Sequence, residues 1–212
     1  PVGRAFRRAE LMDLIDICER HDVIICYDEI HSDLILDPAR RHIPTASINP
    51  AAHERCITLM APSKTFNIPG LGCSFAVIGN DSLRNRFRQA MAGIVPDVNV
   101  LGYTAAESAY RCGWDWHRAL VDYLRQNRDL VFRAIGQMPP LKTFLPEATY
   151  LAWIDARGLD IKNPTAFFES AGVGLSDGKD FGAEGFLRLN FGCRRALLED
   201  ALARMQGALI NR

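Results

Sequence analysis

A helical segment runs directly into a short apolar segment near the start of the chain, and this junction limits the folds that the chain can adopt. Within AFRRAELMDLIDICERHD, apolar side chains recur at helical spacing at Leu11, Leu14, Ile15 and Cys18. They predict a helix from about Arg7 to Arg20. The segment VIICYDEI that follows is apolar and bounded by charges, which is typical of a strand buried on both faces of a parallel sheet. A helix joined tightly to such a strand predicts an α/β protein.

The same alternation continues through the first 135 residues. The runs CITLM and CSFAVIG predict two more buried strands. Helices are predicted over DSLRNRFRQAM, LGYTAAESAY and WHRALVDYLRQNRDLVFRAI. The inner side of the last helix is expected to carry Leu120, Val121, Leu124 and Val131. Residues 1–135 are therefore predicted to form part of an α/β domain with a mainly parallel sheet.

The pattern changes after residue 135. A Pro-rich turn, MPPLKTFLP, precedes a series of shorter elements. These are the strand TYLAWID, the helix NPTAFFESAG, the Gly-rich loop SDGKDFGAEG, the strand FLRLNF and the helix RRALLEDALARM. This order predicts a small α+β domain over residues 136–212.

Composition and charge argue against several classes of partner. The 212 residues contain 25 basic and 25 acidic side chains, so the chain lacks the excess of positive charge that binding to nucleic acid favours. No apolar run approaches the roughly 18 residues of a membrane span, and the start of the chain has no signal-peptide pattern. We therefore expect no nucleic-acid or membrane partner and a cytoplasmic location. The chain begins at Pro1 rather than methionine, which is compatible with a fragment of a longer protein.

The cysteines do not follow a metal-binding or redox spacing. None of the six forms a C-x-x-C pair, and most lie in apolar sequence surroundings. We expect reduced core thiols, with neither zinc nor disulfides and no other metal site. The six are Cys18, Cys26, Cys56, Cys73, Cys112 and Cys193.

Two charged residues lie where apolar runs end. Asp28 is at the carboxyl end of its predicted strand, the edge at which open α/β sheets bind ligands. Lys64 follows the next strand, in APSKTFNIPG, with the hydroxyl of Ser63 beside it. Desolvation favours a neutral, nucleophilic amine, and a buried carboxylate needs a positive partner. Pyridoxal phosphate would satisfy both residues, since enzymes pair its ring nitrogen with Asp and its aldehyde with Lys. A turn cap for Asp28 and a surface charge for Lys64 are the alternatives.

Arg188 lies on the outward face of the strand FLRLNF. In a strand, Phe186, Arg188 and Asn190 share one face, and the intervening apolar residues point to the core. A planar guanidinium is suited to binding a carboxylate with two hydrogen bonds. A plain surface arginine is the alternative.

Six motifs in series carry a resemblance to a known family. They are PVGR, DEIHSDL, APSKTFNIPGLG, ATYLAWID, SDGKDFG and FLRLNFGCRR, and they span essentially the whole chain. Together they resemble the C-terminal half of a fold-type I pyridoxal-phosphate enzyme. The branch they resemble most is the cystathionine β-lyase, or C–S lyase, branch of the class I/II aminotransferase family. The resemblance implies that residues 1–135 belong to the large cofactor-binding domain and that residues 136–212 form the small C-terminal domain.

The resemblance also implies a role for each matching residue. Lys64 matches the lysine that binds the cofactor covalently and moves the substrate Cα proton, and Asp28 matches the carboxylate on the pyridine nitrogen. His31 matches a position beside the ring hydroxyl, although a histidine that only closes a turn is the alternative. Ser63 is a candidate donor to the cofactor phosphate. Arg188 matches the arginine that binds the substrate α-carboxylate.

Two positions depart from the pattern of many aminotransferases. Those enzymes place a hydroxyl three residues before the lysine and an arginine eight residues after it, both on the cofactor phosphate. This chain has Ala61 and Gly72 there. The C–S lyase branch commonly lacks that arginine, so the departure favours the lyase.

The resemblance implies a β-elimination from a small, sulfur-containing amino acid that yields a thiol, pyruvate and ammonia. An aminotransferase is the first alternative, because the two reactions share their early steps. A truncated chain without catalytic activity is the second. Relatives are homodimers, so the resemblance also implies self-association of the intact protein. For a fragment, it implies exposed apolar surface where the missing half would pack.

Overall fold

A computed structural model describes residues 2–211. Its helices are α1 (Arg8–Arg20), α2 (Pro50–Arg55), α3 (Pro62–Thr65), α4 (Asp81–Met91), α5 (Val100–Cys112), α6 (Trp114–Gly136), α7 (Pro164–Ser170) and α8 (Arg195–Ile210). Its strands are β1 (Ile25–Asp28), β2 (Cys56–Met60), β3 (Phe75–Val77), β4 (Lys142–Thr143), β5 (Leu151–Asp155), β6 (Ser176–Asp177) and β7 (Phe186–Asn190). The helices and strands predicted from periodicity are present, most with ends within about two residues of the prediction, while α8 continues past the predicted Met205 to Ile210.

The described residues form two compact units. The first, here called the N-terminal unit, contains residues 5–33 and 41–118. The second, the C-terminal unit, contains residues 2–4, 34–40 and 119–211. The division between the units falls inside α6. The domain boundary expected between residues 135 and 136 stays a prediction.

A three-stranded sheet organises the N-terminal unit. Its strand order is β1-β2-β3, with β1 parallel to β2 and β3 antiparallel to β2. Helix α1 packs its apolar face on this sheet through Leu11 and Ile15, as its periodicity predicted. The rest of this core comprises Ile25, Ile48, Ala52 and Cys56. Such burial of one helix face stabilises a short helix more than its intrinsic propensity does.

The prediction that β1 and β3 are buried on both faces is wrong for this chain. In β1 only Ile25 is fully buried, while Cys26 and Asp28 are exposed. In β3 Phe75 and Val77 are exposed. A strand is buried on both faces only where layers cover both sides of its sheet. Within residues 2–211, the core formed with α1 covers one side of β1 and β2.

The C-terminal unit is the predicted α+β arrangement. Its antiparallel sheet has the order β4-β5-β7-β6. Helices α6, α7 and α8 contribute buried apolar side chains to the same core as β5 and β7. In α6, Val121, Leu124 and Val131 are buried and Leu120 packs against them, which confirms the predicted inner side. This core holds the strand that carries Arg188.

The expectation that the cysteines are core thiols is only partly right. All six are free, but only Cys56 is fully buried, and Cys26 and Cys112 are exposed. Burial raises the pKa of the Cys56 thiol to about 11, which keeps it protonated and unreactive. Cys26 is exposed because strand side chains alternate and its neighbour Ile25 faces the core.

Within residues 2–211 no helix has both the length and the apolar character to cross a bilayer. The described residues also contain no group of three or more His, Cys, Asp and Glu side chains placed to hold a metal ion.

Candidate active site

The pairing of β1 with β2 brings Asp28 and Lys64 to the same edge of the sheet. The two strands are parallel, and Asp28 is the register partner of Leu59. Strand β2 ends at Met60, and α3, which carries Lys64, begins two residues later. Asp28 therefore ends β1, and Lys64 follows the carboxyl end of the adjacent parallel strand β2, at the edge where α/β sheets bind their ligands.

Asp28 and its neighbour Glu29 have different surroundings. The expectation that Asp28 is a buried carboxylate is wrong for this chain. Asp28 is exposed, and its Oδ1 accepts a hydrogen bond from the Ile30 N–H at 3.0 Å, which is the turn cap that was the alternative. Glu29 is 4% exposed, and its Oε1 accepts the Thr45 N–H at 2.9 Å. The other carboxylate oxygen of Glu29 lies 2.8 Å from His42 Nε2. The buried carboxylate thus has protein partners, while the exposed one can accept a hydrogen bond from a ligand.

Lys64 differs from the other lysines of the chain. It is half-buried on the single turn α3, and within residues 2–211 its amine makes no hydrogen bond or ion pair. It is also the only lysine of the N-terminal unit. The remaining three, all exposed, are Lys142, Lys162 and Lys179. A half-buried amine without a protein partner is available to react with a carbonyl.

The residues that follow Lys64 are buried. Thr65 donates its Oγ1 hydrogen to Asp33 Oδ2 at 3.0 Å. Phe66 packs edge-on against Tyr110 at 5.6 Å and against Trp114 at 5.4 Å, measured between ring centroids. Sequence periodicity does not predict these contacts. Their only sequence signal is that Asp33 and Thr65 lie inside the DEIHSDL and APSKTFNIPGLG motifs.

His31 and Ser63 lie beside the same two chain segments. His31 is half-buried in the turn that follows β1, and Ser63 is half-buried on α3 next to Lys64. The roles expected of both residues at the cofactor stay predictions.

One of the two departures from the aminotransferase pattern, Gly72, has a structural explanation. Gly72 ends a short 3-10 helix, Pro69–Leu71, in the left-handed conformation with φ +55°. An arginine would be strained there, whereas glycine adopts this φ readily. Ala61 is buried and extended immediately before α3, and it supplies no side-chain cap to that helix.

Arg188 lies in the C-terminal unit on the predicted face of β7. Leu187 and Leu189 are buried on the other face, which confirms the expected alternation. Arg188 Nη2 donates to Ser176 Oγ at 3.3 Å, and its guanidinium carbon lies 4.4 Å from the centroid of the Phe181 ring. A cation–π contact of this kind orients the guanidinium and leaves N–H groups for a carboxylate.

Aromatic side chains surround Arg188 on its face of the sheet. Trp153 is the register partner of Arg188, stacks on Phe186 at 5.5 Å and contacts Phe181 edge-on at 5.9 Å. Tyr150 packs against the core of this unit, and burial raises the pKa of its phenol. Trp153 and Tyr150 are thus packing residues of this unit.

A family model, described as aminotransferase class I and II, matches residues 1–205. The chain belongs to this family. Among its relatives is the cystathionine beta-lyase PatB of Bacillus subtilis (strain 168), which is 36% identical over 220 residues. That match covers 99% of this chain and 56% of PatB.

Solved structures of similar proteins confirm the predicted fold class. The crystal structure of OvoB is 51% identical, with a TM-score of 0.97 over 99% of this chain and 55% of that one. Cystalysin from Treponema denticola, whose structure contains pyridoxal 5'-phosphate, is 34% identical, with a TM-score of 0.93 over 100% of this chain and 55% of that one. The chain spans about half the length of these relatives.

Proposed function

We propose that this chain is part of a pyridoxal-phosphate-dependent carbon–sulfur β-lyase that acts on small, sulfur-containing amino acids. The observation that carries the proposal is the register of β1 and β2, which places Asp28 and Lys64 beyond the same sheet edge. Relatives named as cystathionine beta-lyase and C–S lyase support the choice of reaction.

The residues at this edge fit the cofactor in their chemistry. Lys64 offers a half-buried amine with no polar partner within residues 2–211. Asp28 offers an exposed carboxylate, and Ser63 and His31 add a hydroxyl and an imidazole from the same two segments. In the proposed site Lys64 would bind the aldehyde, Asp28 would pair with the ring nitrogen, His31 would contact the ring hydroxyl and Ser63 would donate to the phosphate. The bound cofactor supplies an electron sink for the carbanion at Cα.

Each residue then has a defined task in the elimination. The Lys64 amine removes the Cα proton, for which it must be neutral. The Asp28 carboxylate keeps a proton on the ring nitrogen by pairing with the positive charge there. Arg188, in the C-terminal unit, binds the substrate carboxylate through its guanidinium fork. Loss of a thiolate from Cβ, followed by hydrolysis, gives pyruvate and ammonia.

The proposal extends to partner and location. We propose a homodimer, because apolar side chains are exposed just before α5 and in its first turn. They are Ile94, Val100, Leu101 and Tyr103. We propose a cytoplasmic enzyme, because six free thiols favour a reducing compartment.

Pyruvate release tests the reaction. The full chain is incubated with pyridoxal phosphate and cystathionine, without any keto acid, and pyruvate is measured with lactate dehydrogenase. Lys64→Ala is expected to lower the rate by about 100- to 10,000-fold, the range for a lost acid–base group. Lys179→Ala, which changes an exposed lysine of the C-terminal unit, is the matched control and should leave the rate unchanged. Equal rates for Lys64→Ala and the unsubstituted protein would refute the assignment.

An aminotransferase is the second candidate, favoured by the description of the family model. The two reactions diverge after loss of the Cα proton, and a barrier difference of about 1.4 kcal/mol already changes their ratio tenfold. Turnover that requires a keto-acid acceptor and yields no pyruvate from cystathionine would select the aminotransferase.

A further inference from the structure

The turn that carries Lys64 is held by its neighbours. Helix α3 has four residues, and a helix this short is not stable by itself. Thr65, which follows Lys64, is 1% exposed and donates to the carboxylate of Asp33 at 3.0 Å. Phe66 is buried as well. The backbone on one side of Lys64 is therefore anchored.

Asp33 receives a second hydrogen bond from another part of the same unit. His117 Nε2 lies 2.7 Å from the main-chain oxygen of Asp33. Because a carbonyl oxygen only accepts, Nε2 carries the proton and donates. The His117 ring also packs against Phe66, with centroids 6.3 Å apart. Asp33 thus links α6 to the turn of Lys64, and it lies in the same turn as His31, directly after β1.

The anchoring matters because the Lys64 side chain has no polar contact of its own. Within residues 2–211 nothing but the backbone position and the surrounding packing directs its amine. A displacement of about 1 Å at a reacting group can cost about 100-fold in rate.

We infer that the hydrogen bond from Thr65 to Asp33, supported by His117, positions Lys64 for attack on the cofactor aldehyde. This inference rests on the proposed function. Asp33, Thr65 and His117 are positioning residues, since each acts through the turn that carries Lys64. The step that they assist joins the Lys64 nitrogen to the aldehyde carbon and releases one water molecule.

The rate of cofactor attachment tests this inference without any amino-acid substrate. The full chain is mixed with pyridoxal phosphate, reduced with borohydride at timed intervals and digested, and the pyridoxyl group on the Lys64 peptide is measured by mass spectrometry. Thr65→Val should slow labelling about tenfold, and Thr65→Ser, which keeps the hydroxyl, should restore it to within about twofold. Labelling of the exposed Lys142 and Lys179 by the same reagent should not change.

A matched control removes a side-chain hydroxyl elsewhere in the unit. Ser47 donates its Oγ hydrogen to the Pro44 oxygen at 2.7 Å at an exposed position of this unit, and Ser47→Ala should label at the rate of the unsubstituted protein. Asp33→Ala removes the acceptor from a half-buried position and should match Thr65→Val, while the double variant should be no slower. If circular dichroism shows that Thr65→Val does not fold, the rate of Lys64 labelling in Asp33→Ala is compared with that of the unsubstituted protein instead.

Two negative outcomes are distinguishable. Labelling of Lys64 at the same rate in the unsubstituted protein and in folded Thr65→Val or Asp33→Ala would overturn the inference and leave the proposed function intact. Absence of label on Lys64 in the unsubstituted protein would reject the proposed function itself.

Discussion

Glu29 is a buried carboxylate next to Asp28, the candidate cofactor ligand. Two hydrogen-bond partners offset the free-energy cost of burying it. A buried carboxylate is tolerated only where hydrogen bonds replace water, and here the Thr45 N–H and His42 Nε2 do so. Glu29→Ala leaves the buried Thr45 N–H without its acceptor. We expect it to lower the free energy of unfolding by about 2 kcal/mol, within the range for hydrogen bonds to charged groups.

Urea denaturation of the full chain measures this effect. Glu29→Gln keeps an oxygen for the Thr45 N–H, so its loss should be smaller than that of Glu29→Ala. Glu199, exposed on α8, provides the control, and Glu199→Ala should change stability by less than about 0.5 kcal/mol. A Glu29→Ala protein as stable as the Glu199→Ala protein would show that the carboxylate is not needed for folding.

Asp155 gives the C-terminal unit a pH-dependent contribution to stability. The Arg157 side chain donates to both carboxylate oxygens, at 2.9 and 2.7 Å, and this contact lowers the pKa of Asp155 below its ordinary value of 3.8. Because the folded pKa is the lower one, the contribution is complete above pH 3.8 and is lost as the pH falls through the folded pKa.

Because the pKa of Asp155 is lowered in the folded protein, the effect of Asp155→Asn on stability should depend on pH. At neutral pH this change should lower the free energy of unfolding by at most about 1 kcal/mol, because Arg157 is largely exposed and solvent screens the pair. The difference should shrink as the pH is lowered below 4, since Asp155 then becomes protonated in the unsubstituted protein. Chemical denaturation between pH 3 and pH 7 measures it, with the exposed Asp13→Asn as control. A difference that grows toward low pH would contradict the argument.

At the scale of single elements, the loop between β6 and β7 depends on a close backbone approach. A Cβ atom on Gly178 would lie 2.3 Å from the Ala183 oxygen and 2.6 Å from the Phe186 oxygen. Both atoms belong to the backbone, so neither can rotate away. This loop carries Phe181, whose ring lies under the Arg188 guanidinium.

Gly178→Ala is therefore expected to destabilise the protein by about 1–3 kcal/mol, the usual cost of overpacking. Gly174→Ala is a matched control in the same region, because its Cβ would meet nothing within 4 Å. That change should be neutral or stabilising by up to about 1 kcal/mol, since alanine restricts the unfolded chain. The midpoints of thermal unfolding measure the stability of the two variants, and equal midpoints would refute the steric explanation.

Local pattern explains which elements could be predicted from the sequence. The inner side of α6 and the alternation around Arg188 follow from helix and strand periodicity, and both are confirmed. The exposure of β3 could not be predicted, because an apolar run does not show whether a second layer covers it. The hydrogen bond from Thr65 to Asp33 joins positions 32 residues apart and leaves no periodic signal. Asp28 and Lys64 reach the same sheet edge only because β1 and β2 pair in parallel, and sequence periodicity does not specify which strands pair.

At the scale of the whole molecule, the exposed apolar side chains before and at the start of α5 argue for self-association. Ile94 is 80% exposed and Leu101 is 67% exposed, which is unusual for large apolar residues of a soluble monomer. They lie close together in the sequence, and no charged residue other than Asp97 interrupts the segment 94–103. A second copy of the chain would remove this apolar surface from water.

Leu101→Glu tests whether this segment forms the dimer interface. A charge without a partner in an interface costs about 3–5 kcal/mol, which raises the dissociation constant by about a hundredfold or more. Sedimentation velocity of the full chain at micromolar concentration should therefore show a dimer for the unsubstituted protein and a monomer for Leu101→Glu. Ile210→Glu, at a residue of α8 that is 76% exposed, is the matched control and should remain dimeric. A dimer that persists in Leu101→Glu would place the interface elsewhere, and a monomeric unsubstituted protein would refute the homodimer.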